Sequence, residues 1–427
     1  MSRWDRVRPA LGGASVIAVA MGVMNVTTYG FTIIAARVLG PEEYGALAAV
    51  MGLLLVVNVV SLGLQATAAR RVSSSPGSLQ EIEHQVLSTS ARSALALGLL
   101  CLVLAPVLNS ELNLRSLGAT VLIAVTVVPL TIMGGQSGLL QGERRWVPLA
   151  LIYLTVGVGR VAFGVIALAF SQTMASAMVG VAIGAVLPAV VGWFALRHPS
   201  RLAGRVPMAK PARASWARGG VLRETAHNSH ALLAFFALSN TDVLIARRML
   251  PEHQAGLYAA GLILAKAVLF LPQFVVVMVF PAMSQRPHAR RMNLLSLATV
   301  LVIGACVVAG VLVLAPIAVE FVGGSQYSAL QSRLWLFAVI GTLLAMIQLL
   351  VYSVVARQHQ HAVYVIWAAL VVLIGLAPVV SSVSFLIGCV IAIDSTLFLV
   401  LLALSLRPAR ATAGHEAPTD SADLPAR

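Results

Sequence analysis

The chain has 427 residues, 59% of them hydrophobic and only 10% charged, with a formal net charge of +14. Soluble domains carry roughly 25% charged residues, so this chain lacks the polar surface to cover a water-soluble globule. Its apolar runs are about 20–25 residues long and do not alternate in strands of about ten, which excludes a β-barrel and predicts an all-α polytopic membrane protein.

Twelve spans are expected in chain order. The first half gives about 12–36, 44–69, 86–108, 117–140, 148–170 and 174–196; the second gives about 229–247, 255–281, 293–317, 333–356, 361–380 and 383–406. The first run follows Arg3, Arg6 and Arg8. It is too long for a signal-peptide core and has no small-residue cleavage site, so it reads as a retained helix with a cytoplasmic N-terminus. Leu39-Gly40-Pro41 is a stop: Gly permits a left-handed cap, and Pro41 opens the next helix with Glu42 and Glu43 at its dipole-favoured start. Prolines 106, 129, 188, 272, 316 and 378 lie within spans and mark candidate bends.

Loops assigned alternately from a cytoplasmic N-terminus show about a fourfold excess of Arg and Lys inside over outside. The outside set is Arg37, Arg115, Arg247, Arg248 and Arg333. Both termini are therefore expected in the cytoplasm. The long connection from Arg197 to Asn228 is basic, with Glu224 its only acid. It reads as a cytoplasmic linker, with a surface helix near Trp216 and topology-setting charge that also suits anionic lipid. The tail from Pro408 is rich in Ala, Pro and Asp and is expected to be disordered. These boundaries divide the chain into 1–196, 197–228, 229–406 and 407–427. Cys101, Cys306 and Cys389 lie inside apolar runs and read as small hydrophobes. His359 and His361 flank a short loop, and no His, Cys or acidic spacing suggests a metal site or any cofactor.

The opening turn returns about 211 residues later. Arg247-Arg248-Met249-Leu250-Pro251-Glu252-His253-Gln254-Ala255-Gly256-Leu257-Tyr258-Ala259-Ala260 aligns without a gap to residues 36–49, pairing Arg37 with Arg248, Gly45 with Gly256 and Ala48-Ala49 with Ala259-Ala260. Leu102 to Pro106 matches Leu312 to Pro316, Tyr153 matches Tyr364, and Leu196-Arg197 matches Leu406-Arg407. Each half has an even number of spans, so both enter from the same side. The halves are parallel repeats, an architecture that places a binding site between two lobes near the midplane.

The string from Ala36 to Gly45 resembles the polysaccharide transporters of the multidrug/oligosaccharidyl-lipid/polysaccharide (MOP) flippase superfamily. So do Gln141-Gly142-Glu143-Arg144-Arg145, Asn240-Thr241-Asp242 and Gly256-Leu257-Tyr258-Ala259-Ala260. The resemblance implies two six-helix lobes around a central cavity. The function it implies is movement of undecaprenyl-pyrophosphate-linked sugars across the bacterial inner membrane. The chain is short for the related peptidoglycan-precursor flippases, which have fourteen spans. The partners implied are the lipid-linked saccharide, membrane lipids and polysaccharide synthesis enzymes. Nucleic acid is not among them, because the basic residues sit in short inter-span loops.

Five ionisable residues fall deep in apolar spans, where charge is costly and a functional role is the default. Arg160, Lys266 and Asp394 sit near mid-span, Asp242 lies in the outer half of its span, and Arg92 lies near a cytoplasmic end, where it can also snorkel. Arg160 from the first lobe and Lys266 from the second are candidates to clamp a pyrophosphate, with Arg92 a third substrate-binding candidate. Asp242 and Lys266 lie about 10 and 18 Å from the tip of one hairpin, close enough for a pair. Asp394 is a second candidate partner, for Arg160. Asp242 and Asp394 thus read as coupling groups or as members of structural ion pairs. Asn25, Asn58, Gln65, Gln136 and Gln348 serve either as interhelical glue or as substrate contacts. No nucleophile–base–carboxylate set, phosphate-binding glycine loop or soluble domain appears, so the chain reads as a transporter and not an enzyme. A cation-coupled drug or ion antiporter of the same superfamily is the alternative, followed by a non-transporting assembly partner.

Overall fold

The computed structural model describes residues 3–75, 78–114, 116–197, 221–269, 289–357 and 360–406. The expected linker beyond Arg197 and before Val221, the tail from 407, the far end of the eighth span with Pro272, Arg115 and His359 lie outside the described residues. Among those described the structure is helical throughout, with no strand.

Helix α1 (Arg3–Val57) is broken at Gly40, whose φ of 73° and ψ of 173° form a combination open to glycine almost alone. Its first part is the first span and its second part begins the second. That second span resumes after Asn58 as α2 (Val59–Ser74). Then follow α3 (Leu79–Glu111), α4 (Leu117–Gly142), α5 (Trp146–Phe170) and α6 (Met174–Arg197). The second half holds α7 (Val221–Met249), α8 (Glu252–Leu269), α9 (Ala289–Val313), the short α10 (Ala315–Val322), α11 (Leu334–Arg357), α12 (Gln360–Leu376) and α13 (Val383–Leu406). Ten described segments are long and apolar enough to cross a membrane. With the first divided at Gly40 and α8 added, the described helices supply twelve spans, six in each half.

The prolines act unequally. Pro106, Pro129 and Pro188 are carried inside α3, α4 and α6. Pro316, the repeat counterpart of Pro106, instead starts a new helix after a break at Leu314. Pro378 lies in a single 3-10 turn, Ala377–Val379, that ends the eleventh span.

The halves pack by one plan. In the first, the first span meets α5, the second meets α4, α3 meets α4, and α6 packs on α4 and α5; in the second, α7 meets α12, α8 meets α11, α9 meets α11, and α13 packs on α11 and α12. These are the same pairs displaced by six spans, as two copies of one unit require. Large apolar side chains lie exposed along outward faces, including Leu95, Leu99 and Val103 of α3 and Val371 and Val372 of α12. In water this is unfavourable; against lipid it is the expected surface. Between the halves, α1 packs on α8 and α2 on α7, again a repeat-related pair.

Candidate functional site

The second half brings three of the five intramembrane ionisable residues into one buried cluster. Asp242 of α7 accepts from the Tyr258 hydroxyl at 2.8 Å through Oδ2 and from the Val243 N–H at 2.8 Å through Oδ1. Tyr258 of α8 is wholly buried, its ring edge-on to Phe337 with centroids 5.3 Å apart. The α7 backbone delivers Asn240 and Asp242 from within one turn of the helix, and α8 delivers Tyr258 and Lys266, eight positions apart and so on one face. Lys266 Nζ donates to Asn240 Oδ1 at 3.0 Å, and the Asn240 amide donates to the Phe236 carbonyl at 2.8 Å. Lys266 and Asp242 feel each other's charge, but each spends its contacts on a neutral neighbour. The direct Asp242–Lys266 bridge allowed by their spacing is not formed.

Asp394 of α13 completes the cluster. It is 2% exposed, lies within electrostatic reach of Asp242 and Tyr258, and its Oδ2 has no hydrogen-bond partner among the described residues. A buried carboxylate beside another carboxylate, with one oxygen undonated, costs several kcal/mol unless a positive charge accompanies it. Among the described residues no group of three or more His, Cys, Asp or Glu is arranged to hold a metal ion.

Arg160 stands apart. It lines a cavity of about 10 Å³ with Leu130, Val156, Val181, Gly184 and Pro188, all from α4, α5 and α6 of the first half. That is room for roughly one water. Among the described residues its guanidinium has neither a hydrogen-bond nor a salt-bridge partner. Asp394 does not serve it, being held against α7 and α8 of the other half. The structure does not join Arg160 to Lys266, and Arg92 lies exposed on α3, away from both. Nearby, Gln65 Nε2 donates to the Tyr153 hydroxyl at 2.8 Å and to Gln141 Oε1 at 3.0 Å, tying the second, fifth and fourth spans. Gln136 and Gln348, buried in α4 and α11, each keep a side-chain oxygen unpartnered among the described residues.

Just past the end of α4, Glu143 is buried with Arg145 at 3.4 Å. Burial pushes its carboxyl above the usual range; Arg145 pulls it back and the neighbouring Glu83 adds to the rise. Arg145 also donates to the Ala195 carbonyl at 2.6 Å, fastening the turn to α6.

A second polar assembly, unforeseen as such, lies where the two repeated turns meet. Arg247 is almost wholly buried and donates from Nε to the Leu112 carbonyl at 2.9 Å and from Nη2 to the Asn113 carbonyl at 2.8 Å. Arg248 pairs with Glu111 at 2.9 Å, and Arg37 with Glu320 at 3.7 Å. The Tyr327 hydroxyl donates to the Ala36 carbonyl at 2.9 Å and Gln326 to the Arg37 carbonyl at 3.0 Å. Between these ties Gly45 meets Gly256 backbone to backbone: a Cβ on Gly45 would stand 2.9 Å from the Gly256 Cα, and one on Gly256 would collide with the Pro41 carbonyl. The paired Arg37 and Arg248 of the repeat were the available signal. Charge counting alone assigns both, with Arg247, to outward loops.

A family model described as polysaccharide biosynthesis protein matches residues 10–287. Among solved structures, the chain is similar to a multidrug resistance MATE family transporter of the MOP superfamily in its inward-facing conformation, at 12% identity over 92% of this chain and 97% of that one, with a TM-score of 0.70. It is similar to the lipid II flippase MurJ in an inward closed conformation, at 11% identity over 91% and 87%, with a TM-score of 0.71. It is also similar to a MOP superfamily transporter from Pyrococcus furiosus, at 14% identity over 92% and 94%, with a TM-score of 0.54. At these identities the likeness is one of fold. No match is found among curated proteins.

Proposed function

We propose, given that this chain belongs to the polysaccharide biosynthesis protein family, that it moves an undecaprenyl-pyrophosphate-linked oligosaccharide, or a similar lipid-linked polysaccharide precursor, across the bacterial inner membrane by alternating access. The fold it shares with MOP superfamily transporters supports the transport part of this reading. The observation that carries the anionic cargo is Arg160. A guanidinium within a span, with no acid beside it among the described residues, suits a diphosphate, which the planar fork of Arg grips bidentately. Its cavity here admits about one water, so in this reading the head group reaches Arg160 only after α4, α5 and α6 part around it. Lys266 and Arg92 are further substrate contacts, Lys266 being released from Asn240 as cargo arrives. Asp242 and Asp394 couple the cycle to a proton or monovalent cation. The termini and the 197–228 linker are cytoplasmic, and the polysaccharide synthesis enzymes are the partners that supply and take up the cargo. No catalytic step is assigned to the chain.

The unpartnered Oδ2 of Asp394 equally suits a cation-coupled drug or ion antiporter, the second reading. A deletion strain separates the two. Accumulation of lipid-linked saccharide on the cytoplasmic face with unchanged drug tolerance supports the flippase. Changed tolerance with normal surface glycans supports the antiporter and overturns the first reading.

A further inference from the structure

The polar ties at the meeting of the two repeated turns obey the internal repeat. In one set, the second half's connection between its third and fourth spans (Glu320 to Tyr327) closes over the end of the first half's first span (Ala36 and Arg37). In the other, the first half's connection between its third and fourth spans (Glu111 to Asn113) is held by the end of the second half's first span (Arg247 and Arg248). Each half thus lends the same strap to its partner and receives one in return. The turns that receive the straps are anchored within their own halves. Glu43 accepts from the Met174 N–H at 2.7 Å, tying the first turn to α6, and Arg247 is 3.3 Å from Glu252 of its own half. Between them, Gly45 touches Gly256, its own repeat counterpart, so the contact lies on the axis relating the halves.

We propose that these two crossed straps form a gate that holds this side of the seam shut, with the Arg37–Glu320 and Arg248–Glu111 pairs as equal, independent latches. Breaking either one shifts the balance toward the open gate, and breaking both shifts it by the product of the two factors. Both pairs are half-exposed to solvent, which suits a latch: exposed pairs form and break readily, each biasing the closed state only about two- to fivefold. The proposal rests on the reading that the halves move by alternating access, and it is independent of the cargo.

The test measures the distance between spin labels at Ser171→Cys and Ser381→Cys. These are exposed positions on the turns after the fifth and eleventh spans, outside the straps. The protein is full-length, in lipid nanodiscs, with its three native cysteines replaced. Arg37→Glu and Arg248→Glu are each expected to add a longer-distance population, raising the open-to-closed ratio about two- to fivefold. The double variant multiplies the two factors. Adding Glu320→Arg and Glu111→Arg to the double variant restores the parent distribution. Should the reversals fail to assemble, Arg37→Gln with Arg248→Gln gives the same comparison with a smaller shift. A double variant that keeps the parent distances overturns the proposal, as does a fourfold swap that stays as open as the double. Either result leaves the transport reading standing if saccharide still crosses the membrane in the parent.

Discussion

Arg160 and Asp394 are opposite charges in opposite halves, and among the described residues neither the Arg160 guanidinium nor the Oδ2 of Asp394 has a hydrogen-bond partner. Arg160→Ala leaves no acid stranded among the described residues, so it is expected to accumulate normally in the membrane while losing transport about 10- to 100-fold, the worth of a charged hydrogen bond. Arg160→Lys should retain part of the activity. Normal saccharide transfer by well-expressed Arg160→Ala would remove Arg160 from the site and leave Lys266 next. Asp394→Asn relieves a buried charge at nearly constant shape. Its melting temperature should match or exceed the parent's, while transport driven by an imposed proton or cation gradient in vesicles disappears; gradient-driven transport by the variant would exclude Asp394 from coupling. Outside the spans, Glu143 has a carboxyl raised above the usual 4.5. An acid raised on folding contributes stability that is fully present below the unfolded value and is lost as pH climbs through the folded one. Glu143→Gln should therefore be more stable than the parent near pH 8, with the difference shrinking toward pH 4.5. A thermal-shift series across pH reads this directly, and a difference that grows on acidification contradicts it.

At the scale of elements, the Gly40 break shows what a sequence can disclose. Leu39-Gly40-Pro41 announces a stop and a restart, and the backbone makes both at the expected residue because no other side chain tolerates that angle. Gly40→Ala is expected to destabilise by about 1–3 kcal/mol through this strain. An added Cβ would also stand 3.2 Å from Oε1 of Gln326, whose amide is tied to the Arg37 carbonyl, so mild crowding adds to the backbone strain. Gly22→Ala, with nothing within 4 Å of the new methyl, is the control and should be neutral or mildly stabilising. Equal melting temperatures for the two variants would refute the argument. The span pattern and the repeat were similarly open to reading, because hydropathy and self-similarity are properties of the chain alone. Pro106 and Pro316 mark where that legibility ends: matched in sequence, they lie within a continuous helix and at a helix break respectively. The site was legible only as a set of misplaced charges. That Tyr258 serves Asp242, that Asn240 serves Lys266, and that Arg247 grips carbonyls 134 and 135 positions away are facts of helix rotation and tertiary approach, which spacing does not encode.

For the molecule as a whole, the distribution of Arg predicts which face is inner and which is outer. Single cysteines at Glu42, Glu252 and Arg213 and at either terminus, in a cysteine-free background, should label so that the first two react from outside the cell and the others only after permeabilisation. Labelling of the Glu42 and Arg213 positions from one side would refute the topology. The resemblance between halves also has a mechanical consequence at their crossing. Where Gly45 meets Gly256, backbone lies on backbone, so at this one contact no side chain would have to leave a hole if the halves parted. The contact behaves as a plain bearing. At that point no rotamer has to rearrange, and the resistance to opening comes from what surrounds it: the exposed polar ties, which water can take over one at a time, and the buried Arg247 and Tyr327, which must be withdrawn from the opposite half.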